Sequence, residues 1–154
     1  MVAMIKIENL AEIQGEFVAR AHSAIWCNVA TVDAHGRPRS RILHPMWDGA
    51  TGWITTRRHS PKAKHLAGTP FVSVAYIKDL AKPAYADCHA VWENDPAERK
   101  RVWELIGGTP EPLGFDPAPL YISYDHPEFG LLKLTPWRIE VPTLPTERRV
   151  WQES

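Results

Sequence analysis

Apolar and polar residues alternate along most of this chain with the two-residue period of half-buried strands, interrupted by three segments at helical spacing. The first helical segment follows Asn9, a capping residue, with Glu12 three positions on as in a capping box. Leu10, Ile13, Phe17, Val18 and Ala21 then recur on one face. From Ile25 to Val32 the run IWCNVATV is β-branched and aromatic, Asp33-Ala34-His35-Gly36 supplies turn chemistry, and Arg37 to His44 resumes an extended pattern, so a hairpin is predicted. In its second strand Arg37, Arg39, Arg41 and Leu43 share one face, while Ser40, Ile42 and His44 share the other. A row of three arginines is therefore expected to face one way.

Further on, the Asp48–Gly52 turn precedes a strand, Trp53-Ile54-Thr55-Thr56, that runs into Arg57-Arg58-His59. Ser60 as N-cap and Pro61 at the first helical position open a short helix, which Leu66 and Gly68 close. Phe71–Ile77 and Tyr85–Trp92 are expected to be antiparallel neighbours. Asp95-Pro96-Ala97-Glu98 starts a third helix with apolar Val102, Leu105 and Ile106, and Gly107-Gly108 stops it. Thr109–Pro119 is a Pro-rich loop. Leu120–Tyr124 and Leu131–Val141, the latter broken by Pro136, are the last expected strands, and a frayed or partner-contacting tail is expected from Pro142. Six or seven short, hairpin-connected strands with three helices favour a mainly β fold, an antiparallel barrel with appended helices, over a doubly wound sheet. Without an internal repeat or linker, residues 1–154 read as one domain.

Composition narrows the function classes. Eighteen Lys and Arg balance eighteen Asp and Glu, so no polyanion-binding surface is implied and nucleic acid is a poor partner. No apolar run approaches the ~18 residues of a membrane span, and Lys6 and Glu8 interrupt the place of a signal peptide, so a soluble, cytoplasmic protein is expected. Cys27 and Cys88 lack a CxxC partner and are expected as buried thiols. Seven tryptophans and fourteen prolines suit a sheet-rich fold whose loops shape a pocket or a subunit contact. The seven histidines show no metal-ligand spacing, and no GxSxG elbow supports a hydrolase. Asp87 and His89 share a strand face and are expected to bridge to solvent.

The chemistry concentrates in Thr55–Leu66. There a strand delivers hydroxyls and cations to the start of a helix, whose free N–H groups and positive dipole end favour an anion such as a phosphate. Lys62, in the first turn, and an arginine of the preceding strand would supply charge-assisted hydrogen bonds, with Thr55, Thr56 or Ser60 as hydroxyl donors.

The ordered set of these motifs resembles the pyridoxamine 5′-phosphate oxidase-like flavin-binding split barrels. The hairpin with Arg39-Ser40-Arg41-Ile42-Leu43, the aromatic-Ile-Thr-Thr strand end, Ser60-x-Lys62-x-x-x-Leu66 and FVSVAYI carry the likeness. Tyr85–Ala90, Asp95-Pro96-Ala97-Glu98 and Leu132–Glu140 extend it, over roughly residues 25 to 141. The resemblance implies a six-stranded antiparallel split β-barrel with peripheral helices that forms a homodimer and holds FMN in grooves at the subunit interface. By the same resemblance, Arg41 and Lys62 take the phosphate, Thr56 and Ser60 offer hydroxyls at its mouth, and Ile42, Leu43 and Thr55 lie along the isoalloxazine and ribityl chain. Trp137 or Trp92 would stack on the partner's flavin ring.

The sequence also departs from the founding enzyme. The family's Thr-Asn-Tyr-Gly-Ser-Arg-Lys run reads here as Thr56-Arg57-Arg58-His59-Ser60-Pro61-Lys62, so Pro61 stands where a phosphate-site arginine belongs and two cations precede it. Thr146–Ser154 has no counterpart of the segment that grips pyridoxal phosphate. The likeness is therefore to general-stress-protein or F420-reductase-like members rather than to a vitamin B6 oxidase. It implies an FMN-dependent oxidoreductase acting on a small-molecule substrate with a separate electron donor. An F420-dependent reductase, or a sensor or carrier without turnover, stands beside it, and some members of the superfamily bind haem.

Overall fold

The computed structural model describes residues 1–154 and contains nine strands and four helices. Strands β2 (Cys27–Val32) and β3 (Pro38–Leu43) form the expected antiparallel hairpin, with Val29 opposite Arg41 and Thr31 opposite Arg39. After β3 the chain bends at His44-Pro45, and the short β4 (Met46–Asp48) leaves the β2 ladder to pair with β5 (Thr51–Arg57). The other edge of β2 pairs with β6 (Phe71–Tyr76), β6 with β7 (Ala84–Trp92), and β7 with the fifteen-residue β8 (Phe129–Thr143), whose first half also pairs with β5. The path β5-β8-β7-β6-β2-β3 thus returns to β5 through β4. Six strand paths close a barrel that is split at the His44-Pro45 bend.

Two strands lie outside this ring. β1 (Ala3–Ile7) pairs in parallel with β9 (Glu147–Gln152), which pairs antiparallel with the second half of β8. The sheet is therefore mixed, with nine strands rather than six or seven, and the segment after Pro142 is an edge strand rather than a frayed tail. Its polar sequence hid it. Arg148 of β9 and Arg138 of β8 both donate to the Glu140 carboxylate, at 2.6 and 3.0 Å, so charges that look solvated in sequence satisfy one another across the ladder.

Two further expectations are corrected. Leu120–Tyr124 is no strand: prolines at 117 and 119 suit a first helical turn and cannot feed a ladder, so the short helix α4 (Ala118–Tyr121) forms there. Nor does Pro136 break β8. The register passes from Asp87 opposite Arg138 to Cys88 opposite Pro136, leaving Trp137 without a ladder partner, and this bulge absorbs the missing N–H.

Helix α1 (Ala11–Ala24) begins where the Asn9 Oδ1 accepts from Ala11 N at 3.0 Å. It sends Ile13, Phe17 and Ala21 into the barrel core against Val74, Tyr76 and Leu134. Phe17 meets Trp47 edge-on at 4.8 Å, and the Trp47 indole N–H donates to the Tyr76 hydroxyl at 3.0 Å. A second core lies outside the ring, where α3 (Pro96–Gly108) packs Val102 and Ile106 on Trp53, Phe129 and Leu131. Asp95 caps α3 as expected, accepting from Glu98 N at 3.1 Å. Helix α2 (Pro61–Gly68) buries Leu66 in the main core, which fixes its first turn beside β2 and β3. No helix is long and apolar enough to cross a membrane.

Candidate functional site

The register of the hairpin decides which way the arginines point. Cys27, Val29 and Thr31 face the barrel and are buried, so their partners Leu43, Arg41 and Arg39 share that side, while Ser40 and Ile42 point outward. Two arginines share the face rather than three. Arg37 precedes β3, and its Nε pairs with the Asp33 carboxylate at 2.9 Å within the turn.

Helix α2 crosses in front of β3 and encloses a groove of about 410 Å³. Arg39, Ser40, Arg41, Ile42 and Leu43 form one wall, and Pro61, Lys62 and His65 the other. Arg41 Nη1 donates to Thr31 Oγ1 at 2.8 Å and reaches the Val29 carbonyl at 3.4 Å, and Thr31 Oγ1 lies 3.0 Å from His65 Nδ1. Burial first, and then the proximity of Arg41, pushes the Lys62 ammonium below its ordinary pKa. Arg41 is pushed down in the same way, by burial and then by Arg39. None of Arg39, Arg41 and Lys62 has a carboxylate partner, although eight other basic side chains are ion-paired. Like charges have been brought together and left without a counter-charge, with Arg41 and Lys62 partly dehydrated. Such an arrangement is completed by an anion.

Ser60 adds to it. Its carbonyl accepts from Ala63 N at 2.9 Å, but the side chain does not cap the helix as expected. The Ser60 Oγ is buried and without a partner, a state that costs free energy until a ligand oxygen or water satisfies it. Three clustered cations, a spare hydroxyl and the first-turn N–H groups of α2 fit a phosphoryl group, such as that of FMN.

Of the residues expected at the site, Arg41, Ile42, Leu43, Pro61 and Lys62 line the groove together. Thr55 and Thr56 lie on β5 opposite Leu131 and Gly130, and neither they nor Ser60 line it. His65 was not foreseen in the site. The available signal was its spacing: three residues after Lys62, it shares that residue's helix face.

Most of the other candidates find partners within the chain. Arg58 sits over the Trp92 ring, 4.1 Å from its centroid, so one face of that indole is already covered. Trp137 is half-buried at the bulge, with an unpartnered buried Nε1, and lines a recess of about 170 Å³ with Phe71 and Asp87. Instead of bridging to solvent with His89, Asp87 accepts from Ser73 Oγ at 2.6 Å, and His89 meets Phe71 edge-on at 5.4 Å. Cys27 and Cys88 are free and buried, as expected, and burial pushes both thiols up, Cys27 to about 12.

The model of the family described as pyridoxamine 5′-phosphate oxidase matches residues 13–141. The chain belongs to this family. The closed ring with its split at His44-Pro45 is the family's split barrel, and β1 and β9 both lie beyond the matched residues. No protein of curated function matches the chain. Among solved structures it is similar to a Clostridium acetobutylicum protein related to general stress protein 26 of Bacillus subtilis. The TM-score is 0.71 and the identity 14%, over 92% of this chain and 94% of that one. It is similar to a pyridoxamine 5′-phosphate oxidase-related, FMN-binding protein of Nostoc punctiforme, at TM-score 0.62 and 19% identity over 88% and 84% of the two chains. It is likewise similar to the heme storage protein HutZ of Vibrio cholerae, at TM-score 0.61 and 22% identity over 84% and 91%. At these identities the likeness is one of fold.

Proposed function

We propose that this family member binds FMN as a homodimer and serves as an FMN-dependent oxidoreductase. The observation that carries the reading is the carboxylate-free groove in which Arg39, Arg41 and Lys62 converge beside the start of α2. Arg41 and Lys62 hold the flavin phosphate, with the Ser60 and Thr56 hydroxyls and Pro61's helical turn at its mouth. Ile42, Leu43 and Thr55 lie along the ribityl chain and ring. Bound FMN supplies the hydride or electron chemistry. The chain's own residues bind, orient and exclude water, and none is assigned as an acid or base. The homodimer is supported by the outward face of the barrel, where Ile42, Phe71, Ile77 and Val91 are exposed.

Flavin titration followed by fluorescence quenching tests the reading. Wild type is expected to bind FMN, and Lys62→Ala to lose about ten- to a hundredfold in affinity, the worth of one charge-assisted hydrogen bond. A Lys62→Ala protein with undiminished affinity would overturn it. Mass spectrometry of the small molecule released on denaturation separates FMN from F420 and haem, and reduction of the bound flavin by a nicotinamide donor separates an enzyme from a carrier.

A further inference from the structure

We infer that His65, acting through Thr31, positions Arg41 and so sets the groove's preference for a phosphorylated flavin over an unphosphorylated one. The inference rests on the groove being a phosphate site. Arg41 stands between two like charges, Arg39 on its own strand and Lys62 on α2, with no carboxylate to restrain it. Repulsion drives such a side chain outward, and its many rotamers make the outward states numerous. Two contacts oppose this: a 3.4 Å approach of Nη1 to the Val29 carbonyl, at the limit of a hydrogen bond, and the 2.8 Å bond to Thr31 Oγ1. The second is the stronger restraint.

Thr31 holds Arg41 only in one hydroxyl orientation. Its side chain is buried at 2% exposure, so its single proton needs an acceptor that is not water. With Arg41 donating to Oγ1, that proton goes to His65 Nδ1 at 3.0 Å, which places the imidazole proton on Nε2. The chain of donors runs Arg41 to Thr31 to His65, and it ties β3, β2 and α2 together at the groove. Because His65 follows Lys62 by three residues, the docking of α2 sets Lys62 and, through this relay, Arg41 at one time. His65 is thus a positioning residue for the phosphate rather than for the ring, and its influence falls on the part of the ligand that riboflavin lacks.

The test compares FMN and riboflavin by fluorescence titration of the full chain. Thr31→Val and His65→Ala are expected to weaken FMN binding about tenfold, the cost of a misplaced charge-assisted bond, and riboflavin binding by much less, so that the FMN-to-riboflavin ratio falls. Thr31→Ser, which keeps the hydroxyl, and His65→Asn, whose Oδ1 takes the place of Nδ1, are expected to restore most of the difference. Circular dichroism establishes that each variant is folded, and the His65 pair carries the test if Thr31→Val is not. Wild-type FMN-to-riboflavin ratios in Thr31→Val and His65→Ala, or equal losses for both ligands, would overturn the inference. A wild-type protein that binds both ligands equally would instead overturn the phosphate reading itself.

Discussion

The Arg58 guanidinium lies over the indole of Trp92, 4.1 Å from the ring centroid, and that indole in turn lies against Gly130. A Cβ at position 130 would come within 2.6 Å of Trp92 Cζ3 and 2.7 Å of the Thr56 carbonyl oxygen. The second atom belongs to the β5–β8 ladder, so only Trp92 is able to yield. Gly130→Ala is therefore expected to expel the indole, unseat Arg58 and destabilise the protein by about 1–3 kcal/mol in urea unfolding, the usual cost of overpacking. Unchanged stability together with unchanged tryptophan emission would contradict this.

Tyr76→Phe should act through a different atom. The Trp47 indole N–H, buried beneath α1, has the Tyr76 hydroxyl as its partner at 3.0 Å. Removing that oxygen leaves a buried donor unsatisfied, at a cost of about 1–3 kcal/mol that denaturant unfolding reads directly. The rings themselves remain packed, so the far-ultraviolet spectrum should not change.

The turn of the hairpin carries a pH dependence. Asp33 Oδ1 accepts from the Arg37 and His35 backbone N–H groups at 3.0 and 2.9 Å, and Oδ2 accepts from Arg37 Nε at 2.9 Å. Chiefly through the Arg37 N–H, and against an opposing effect of burial, these bonds lower its pKa from the ordinary 3.8 to about 2. A carboxylate depressed in the folded state stabilises above its unfolded pKa and loses that contribution as pH falls through the folded one. Asp33→Asn should accordingly be less stable than wild type at neutral pH, with the gap closing between about pH 4 and pH 2.

Cys27 and Cys88 should be inert in the native protein. Burial raises both thiols, Cys27 to about 12, so at neutral pH almost no thiolate exists and a disulfide reagent has no access. Both thiols are expected to react promptly in denaturant. Rapid labelling of either in the folded state would show that the barrel core opens.

The proposed homodimer is tested separately, on the exposed outward face. Phe71 is half exposed beside Ala30 and Trp137, and a charge there would be costly to bury between subunits. Wild type is expected to sediment as a dimer and Phe71→Arg as a monomer at the same concentration, with the circular dichroism of the barrel unchanged. A dimer that survives the substitution would place the interface elsewhere.

Local signals determined most of the elements. The Asp33–Gly36 turn, the Pro61 and Asp95-Pro96 helix starts and the alternation in Phe71–Tyr76 are consequences of dihedral restriction, capping and a two-residue period, all of which act between neighbours in the chain. They placed Lys62 in the first turn of a helix that favours an anion, while the expectation that Arg41, Ile42, Leu43 and Pro61 join it came from the family resemblance. Only the tertiary structure decided what depends on distant partners: that Arg148 and Arg138 share Glu140 and make a strand of a polar C-terminus, that Trp137 bulges out so that Pro136 fits, and that Arg58 rests on Trp92. It also brought His65 to Thr31 across thirty-four positions, because the docking of Leu66 rather than any local preference sets where that face of α2 falls. Periodicity records which side of an element is buried, whereas the identity of the residue waiting there is fixed by packing.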